Sequence, residues 1–525
     1  MKRHTATRTL DGKVDTVSLF RSTAHDDADA VLLESSTRVG KKALKSLLFI
    51  KNAVRVECRG NRVTLIPLSP NGRHAIAEML GRLKDFSSVD ASGDRVIALF
   101  SDRAHDGPES ERIRAVSTAD VIRLACYGWD HGSSDTEPMQ VPVAFAFDYV
   151  EQFENLPRSQ LDVHDFPDYV FWIPEHVVNI DHADTRAKIT VNIFGDDALE
   201  SRLDEAEEAL DIIAGAFPGC REHRDKNEVP ANAPVPSSAA GSVRCDMDDV
   251  EFATMVWRLK RHISEGDVFQ IVPSRTFSVP CSKALQSYEK LGMLNPSPWQ
   301  FFMRTDAFTL FGSSPEVCVR VSKDPRVVEI HPIAGTRRRG FFPDGSIDTD
   351  LDNRLEAELR LNEKELAEHM MLLDLARNDV ARISMPGSRS VRRLLEVDRY
   401  SHVMHLVSVV EGHLRDDLDP VQAYVASMNM GTVTGAPKIM AARLLRKYEK
   451  IRRGPYGGGV GFIDTDGNME TAIFIRSALV KGGTAFVRAG AGVVFDSEPE
   501  AEAAETADKA GAVLRAVSMT EGCVS

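Results

Sequence analysis

The chain has 525 residues, enough to bury a sizeable core, and a globular composition of 43% apolar and 27% charged residues that excludes a disordered or coiled-coil chain. Its formal net charge of -14 gives no basic footprint for nucleic acid and repels anionic membrane surfaces, so neither partner is expected. An anionic small substrate would need a local cationic pocket or a metal, because the overall field works against it.

In chain order, the start MKRHTATRTLDGKVD carries charge but no apolar signal region, and no window reaches the roughly 18 apolar residues of a membrane span. Seven scattered cysteines form no CxxC pair, which fits reduced thiols in a cytoplasmic protein. Strand-like runs such as AVRVEC and RVTLIPL come early, and ESRLDEAEEALDIIAGAF reads as a helix. EVPANAPVPSSAAG, residues 228–241, reads as a linker loop between an N-terminal region, 1–227, and a C-terminal region, 242–525.

Asp248 and Glu251 then fit a capping box opening an amphipathic helix, with Val250, Met255, Val256, Leu259 and Ile263 near one side and Gly266 as its stop. The strand VFQIVPSRTFSV follows. RLEAELRLNEKELAEHMMLLDLARND, free of Pro and Gly, is expected as one long helix. From Tyr456 to Asp496, the strands GVGFI, TAIFIRSALV and TAFVRAGAGVVF are separated by the turn compositions DTDGN and KGG. A last helix is expected near Ser497, with Ser497 and Glu500 as its capping box and Pro499 in its first turn. The pattern predicts an α+β fold of antiparallel sheets flanked by helices.

Glu365 and Glu368 stand three apart on the long helix, as do Glu502 and Glu505 on the last, with Lys509 four further on. At about 100° per residue each pair shares a face. Two carboxylates from each of two helices could close an oxygen-only site suited to Mg²⁺, although helical glutamates are more often solvated. His369 directly follows Glu368 and so breaks the Glu-x-x-His spacing of a di-iron bundle. NMGTVTGAPK lacks the spacing of a phosphate loop. GGGVG and RAGAG, the latter holding Gly490 and Gly492, are either bulges or places where backbone N–H groups meet a carboxylate. Arg476 between them would add a bidentate partner; the alternative is a solvent-facing strand arginine.

Taken in order, FGSSPE, HPIAGT, ELAEHMMLLDLARND, SHVMHLVS, GTVTGAPK, GPYGGGVG and SEPEAEAAET resemble the chorismate-utilising enzymes, and among them the large components of anthranilate synthase. The likeness is strong over residues 245–518. It implies a sandwich-like core of large antiparallel sheets. It also implies Mg²⁺-dependent conversion of chorismate and ammonia to anthranilate and pyruvate, the first committed step of tryptophan biosynthesis, with feedback inhibition by tryptophan.

By position, Glu368 and Glu505 resemble direct Mg²⁺ ligands, with Glu365 and Glu502 in the same site, directly or through water. Tyr456, Arg476 and the backbone at Gly490 and Gly492 resemble the group that holds the enolpyruvyl carboxylate, and Gly335 and Thr336 should line the ring. Lys509 is either a nearby cation or a surface residue. Glu316 matches the acid that protonates the departing C4 hydroxyl, a role that needs a raised pKa. His405 matches the histidine of the elimination half, and Thr432 a substrate-contacting position.

Two departures locate the chain among its relatives. Gln270 stands where water-adding members carry a lysine base, and Ala334 stands in PIAGT where C4-aminating members show PIKGT. Both point to amination at C2. A synthase stopping at 2-amino-2-deoxyisochorismate and an inactive regulatory subunit are the alternatives.

Glu34 and Ser35 in LLESS, Lys45 in LKSLL, and Asn295, Pro296, Ser297 and Pro298 resemble the tryptophan site. Trp299 and Gln300 replace its usual Tyr-Met, and the plainer reading of LLES is a strand end capping nearby backbone. The chain ends at Ser525 soon after its last helix and has no nucleophile in a Gly-x-Cys-x-Gly setting. The resemblance therefore implies a separate glutamine amidotransferase subunit, in a heterotetramer of two large and two small subunits.

Overall fold

Strand Ala43–Arg59 shows how the sequence builds the architecture. Its alternating apolar residues send Leu47 and Phe49 to one core and Leu48 and Ile50 to another, as the two-residue period of a strand requires. Register shifts in its pairing with Tyr169–Asp181 fall between Phe49 and Val54, so the long ribbon bends and serves two sheets. The computed structural model describes residues 1–24, 29–36, 43–101, 108–130, 137–157, 161–220, 243–342, 344–400 and 403–522. The linker expected at 228–241 lies outside them.

One sheet runs from the ribbon through Gln140–Phe145, Gly459–Asp464, Met469–Ile473, Val317–Ser322, Val327–Ile330 and Val403–His413. The other runs through Ala30–Ser36, Trp299–Arg304, Thr309–Ser314, Ser477–Lys481, Thr484–Gly490 and Ser274–Pro280. All these pairings are antiparallel, as expected. Trp172, Phe301, Met303, Leu310, Val460 and Phe474 form one cluster drawn from both sheets, so the sheets face each other as a sandwich. Helices cover the outer faces: Pro70–Leu83 and Glu363–Ile383 on the first, Leu199–Ala216 and Pro499–Thr520 on the second. Both sheets join strands from before the linker, through the pairs Gln140–Phe145 with Gly459–Asp464 and Ala30–Ser36 with Trp299–Arg304, to strands from after it.

Several elements differ from expectation. The long helix is two, Thr349–Leu361 and Glu363–Ile383, because Asn362 is extended and its side chain accepts from Glu365 N at 3.0 Å. TAIFIRSALV breaks at Arg476, whose φ is 51°, so this arginine sits at a corner rather than inside a strand. Asp248 and Glu251 form the expected capping box, but Val250 of that helix is exposed. The last helix begins at Pro499 without a side-chain cap, since the Ser497 hydroxyl instead accepts from Val494 N.

Candidate active site

The corner at Arg476 and the starts of two helices come together. Asn362 caps the helix that presents Glu365 and Glu368 in its first two turns, where the helix dipole favours negative charge. The helix Pro499–Thr520 presents Glu502 and Glu505 in its first two turns, with Lys509 one turn further on. Lys509 Nζ lies 2.6 Å from Glu505 and donates to Gly490 O at 3.0 Å, while Arg476 Nη1 donates to Lys509 O at 2.7 Å. Lys509 is thereby in the site and not a detached surface residue.

Glu316 follows strand Thr309–Ser314 and is buried. Burial pushes its carboxyl up to about 8, against a modest pull from the Thr432 hydroxyl and from Lys509. Burial, then the charges of Glu365 and Glu505, pushes Glu368 up to about 7. Burial also raises Glu502, whose Oε2 is buried without a hydrogen-bond partner. Glu365 pairs with Arg337 at 2.8 Å.

Thr336 and His405 face each other on paired strands, with Thr336 Oγ1 to His405 Nδ1 at 2.9 Å. Burial and the neighbouring Arg476 hold the imidazole down to about 4. Gly335, at φ +76°, forms the irregularity in that pairing, and an added Cβ would press on Glu365 Oε2 at 3.2 Å. Gly490 backs the Tyr456 hydroxyl, and at Gly492 a Cβ would reach 2.8 Å from Gln270 Nε2. That amide donates to Glu368 Oε1 at 3.1 Å. The glycines of GGGVG do different work. A Cβ at Gly458 or Gly461 would lie 2.0 Å from Phe145 O or Glu470 O, so these are strand-packing positions.

Residues 87–515 match the family of chorismate binding enzymes. The chain is 43% identical to anthranilate synthase component 1 of Vibrio parahaemolyticus over 96% of its own length and 91% of that protein. It is 42% identical to the Escherichia coli K12 counterpart, covering 95% and 94%. The chain belongs to the chorismate binding enzymes. Its structure resembles anthranilate synthase component I of Streptococcus pneumoniae, with a TM-score of 0.69, 26% identity and coverage of 90% and 92%. The fold is shared with the menaquinone-specific isochorismate synthase of Escherichia coli, TM-score 0.62, at 16% identity over 98% and 95%.

In this family member the four glutamates offer only oxygen donors; burial and like-charged neighbours raise Glu368 and Glu502, and Glu502 Oε2 lacks a hydrogen-bond partner. That donor set fits a hard divalent cation. Among the described residues no three of these carboxylates bring oxygens within 4.8 Å of one another; the only such group is His262, Glu265 and Asp267.

The effector candidates also meet. Ser35 pairs with Lys45 on one side and Trp299 on the other, and Glu34 with Ser46 and Gln300, directly after Asn295 to Pro298. Sequence reasoning missed Tyr288, which donates to Glu34, and His182, 2.7 Å from Ser46 Oγ. It also missed Arg453, Arg488 and Glu449 beneath Tyr456, for which the only signal was the doubled arginine before GPYGGG.

Proposed function

We propose that the chain converts chorismate and ammonia to anthranilate and pyruvate. Glu316 carries the reading: a carboxyl that burial holds near 8 is protonated at neutral pH and can donate to a departing hydroxide. Ammonia adds at C2, the C4–O bond breaks, and the Glu316 proton leaves with that oxygen as water. Loss of the C2 proton with cleavage of the enolpyruvyl ether then gives pyruvate and an aromatic ring. Arg476, Lys509 and Tyr456 supply the cationic, hydrogen-bonding wall that an anionic substrate needs in a chain of net charge -14. His405, neutral above about pH 4 and fixed by Thr336, is available to accept a proton or orient the ring.

Glu368 and Glu505, with Glu365 and Glu502, would hold Mg²⁺. When bound, that ion would neutralise and orient the substrate's ring carboxylate. Gln270 supports ammonia over water as nucleophile, because an amide cannot deprotonate water whereas ammonia attacks as the neutral base. A glutamine amidotransferase subunit is the proposed source of ammonia, and tryptophan the proposed inhibitor at Glu34 and Ser35.

The test is to incubate the purified chain with chorismate, Mg²⁺ and ammonium, following anthranilate fluorescence and pyruvate together. Both products should appear, vanish on chelation, and form faster as pH raises the ammonia fraction. Glutamine should replace ammonium only when the cognate amidotransferase is added. An aminated product without pyruvate would instead favour a synthase that stops at aminodeoxyisochorismate.

A further inference from the structure

Beneath Tyr456 lies a buried cluster of charge that the proposed chemistry does not use. The side chains of Arg453, Glu449 and Arg488 are 2%, 3% and 4% exposed. Arg453 grips Glu449 with Nε to Oε2 at 2.9 Å and Nη2 to Oε1 at 2.7 Å, and Arg488 Nη2 donates to Glu449 Oε2 at 2.8 Å. Ser274 adds its N–H and hydroxyl to Glu449 Oε1, both at 2.9 Å. Two guanidiniums against one carboxylate leave an excess positive charge below the pocket.

Arg453 differs from Arg488 in where its other donors go. Nη1 donates to Val433 O at 2.7 Å and Nη2 to Val272 O at 2.6 Å. Its guanidinium lies over the rings of Phe147 and Tyr456, at 4.5 and 5.7 Å from their centroids. Val433 follows Thr432, which faces Glu316, and Val272 lies two residues after Gln270, which holds Glu368. Arg488 donates to the Ser274 hydroxyl, just beyond Pro273, and to Arg452 O; it bonds no backbone carbonyl of residues 270–273 or 431–435.

We infer that Arg453 is a positioning residue that sets the Thr432 and Gln270 segments, and the Tyr456 ring, in register with one another. The guanidinium is a rigid planar fork, so the separation of its donors fixes the separation of the two carbonyls. This inference rests on the reading of Glu316 and Glu368 given above. Lysine keeps the charge but cannot make the fork. Arg453→Lys should therefore leave the KM for chorismate within about threefold, while kcat falls on the order of 100-fold, the scale of a misplacement of about 1 Å. Arg488→Lys, in the same cluster and equally buried, should lose kcat by less than about tenfold.

The experiment compares these two variants in kcat, KM, melting temperature and amide hydrogen exchange, the last independent of turnover. Arg453→Lys should raise exchange selectively at residues 270–273 and 431–435, and Arg488→Lys should not. Equal kcat losses, or exchange raised equally across both variants, would overturn the inference. If the wild type forms no anthranilate, the proposed reaction fails and the exchange pattern alone decides the positioning role. Should Arg453→Lys not fold, Arg453→Gln and Arg488→Gln are read the same way. Failure of both Arg453 variants to fold while both Arg488 variants do would make Arg453 a folding residue and sink the assignment.

Discussion

Glu316 occupies a place that opposes its own charge. Its carboxyl titrates near 4.5 when free and near 8 in the fold, so between those values the native chain holds a proton that the unfolded chain has released. Stability must therefore fall as pH rises through that window, and the loss is complete above about 8. Glu316→Gln removes the proton donor and the penalty together. It should abolish anthranilate formation yet be more stable than wild type at pH 8.5, by on the order of a few kcal/mol, with little difference near pH 4.5. Denaturant titrations at both pH values check this; a gap that does not widen with pH would count against a buried, neutral Glu316. At saturating free ammonia, turnover should likewise decline above about 8, and His405, already neutral, should add no transition near 6.5. The sequence placed Glu316 through its likeness to a family, but burial comes from remote strands that periodicity cannot bring together.

At the level of single elements, local chemistry was readable where the deciding contact was close in sequence. The Asp248 capping box joins residues three apart and forms as expected. The Asn362 cap is hidden because helix propensity masks it inside a continuous helical pattern, and Arg476, though singled out by sequence, shows no corner because an apolar run conceals it. The glycines separate the same way. Gly461 is crowded by the neighbouring strand's backbone, so Gly461→Ala should lower stability by roughly 1–3 kcal/mol through overpacking. Gly492→Ala crowds the flexible end of the Gln270 side chain and meets Glu368 Oε1 only at an ordinary 3.5 Å, so it should leave the melting temperature nearly unchanged. By pushing that amide away from Glu368, it should lower kcat instead. Calorimetry and steady-state kinetics on the two variants test the pair; the opposite pattern would mean GGGVG, not RAGAG, approaches the substrate.

Across the whole molecule, what composition could not reveal is that residues near position 34 and those near position 300 become neighbours in one sheet. Ala30–Ser36 pairs with Trp299–Arg304, which pairs with Thr309–Ser314, and that strand ends two residues before Glu316. A ligand at Glu34 and Ser35 is thus two strands from the proposed acid. A tryptophan bound there would lie beside Trp299 and Gln300, and a shift of that strand would be passed through its pairing with Thr309–Ser314 toward Glu316. Coupling of this kind is reciprocal, so tryptophan should weaken chorismate binding by the factor by which chorismate weakens tryptophan binding. Ser35→Arg would fill the space beside Lys45 and Trp299. It should raise the tryptophan concentration for half-inhibition at least about tenfold, with uninhibited kcat within about twofold. Calorimetric titration of tryptophan with and without chorismate, alongside inhibition curves, measures both directions. A wild type indifferent to tryptophan, or a Ser35→Arg variant inhibited as strongly as wild type, would remove the effector from this sheet.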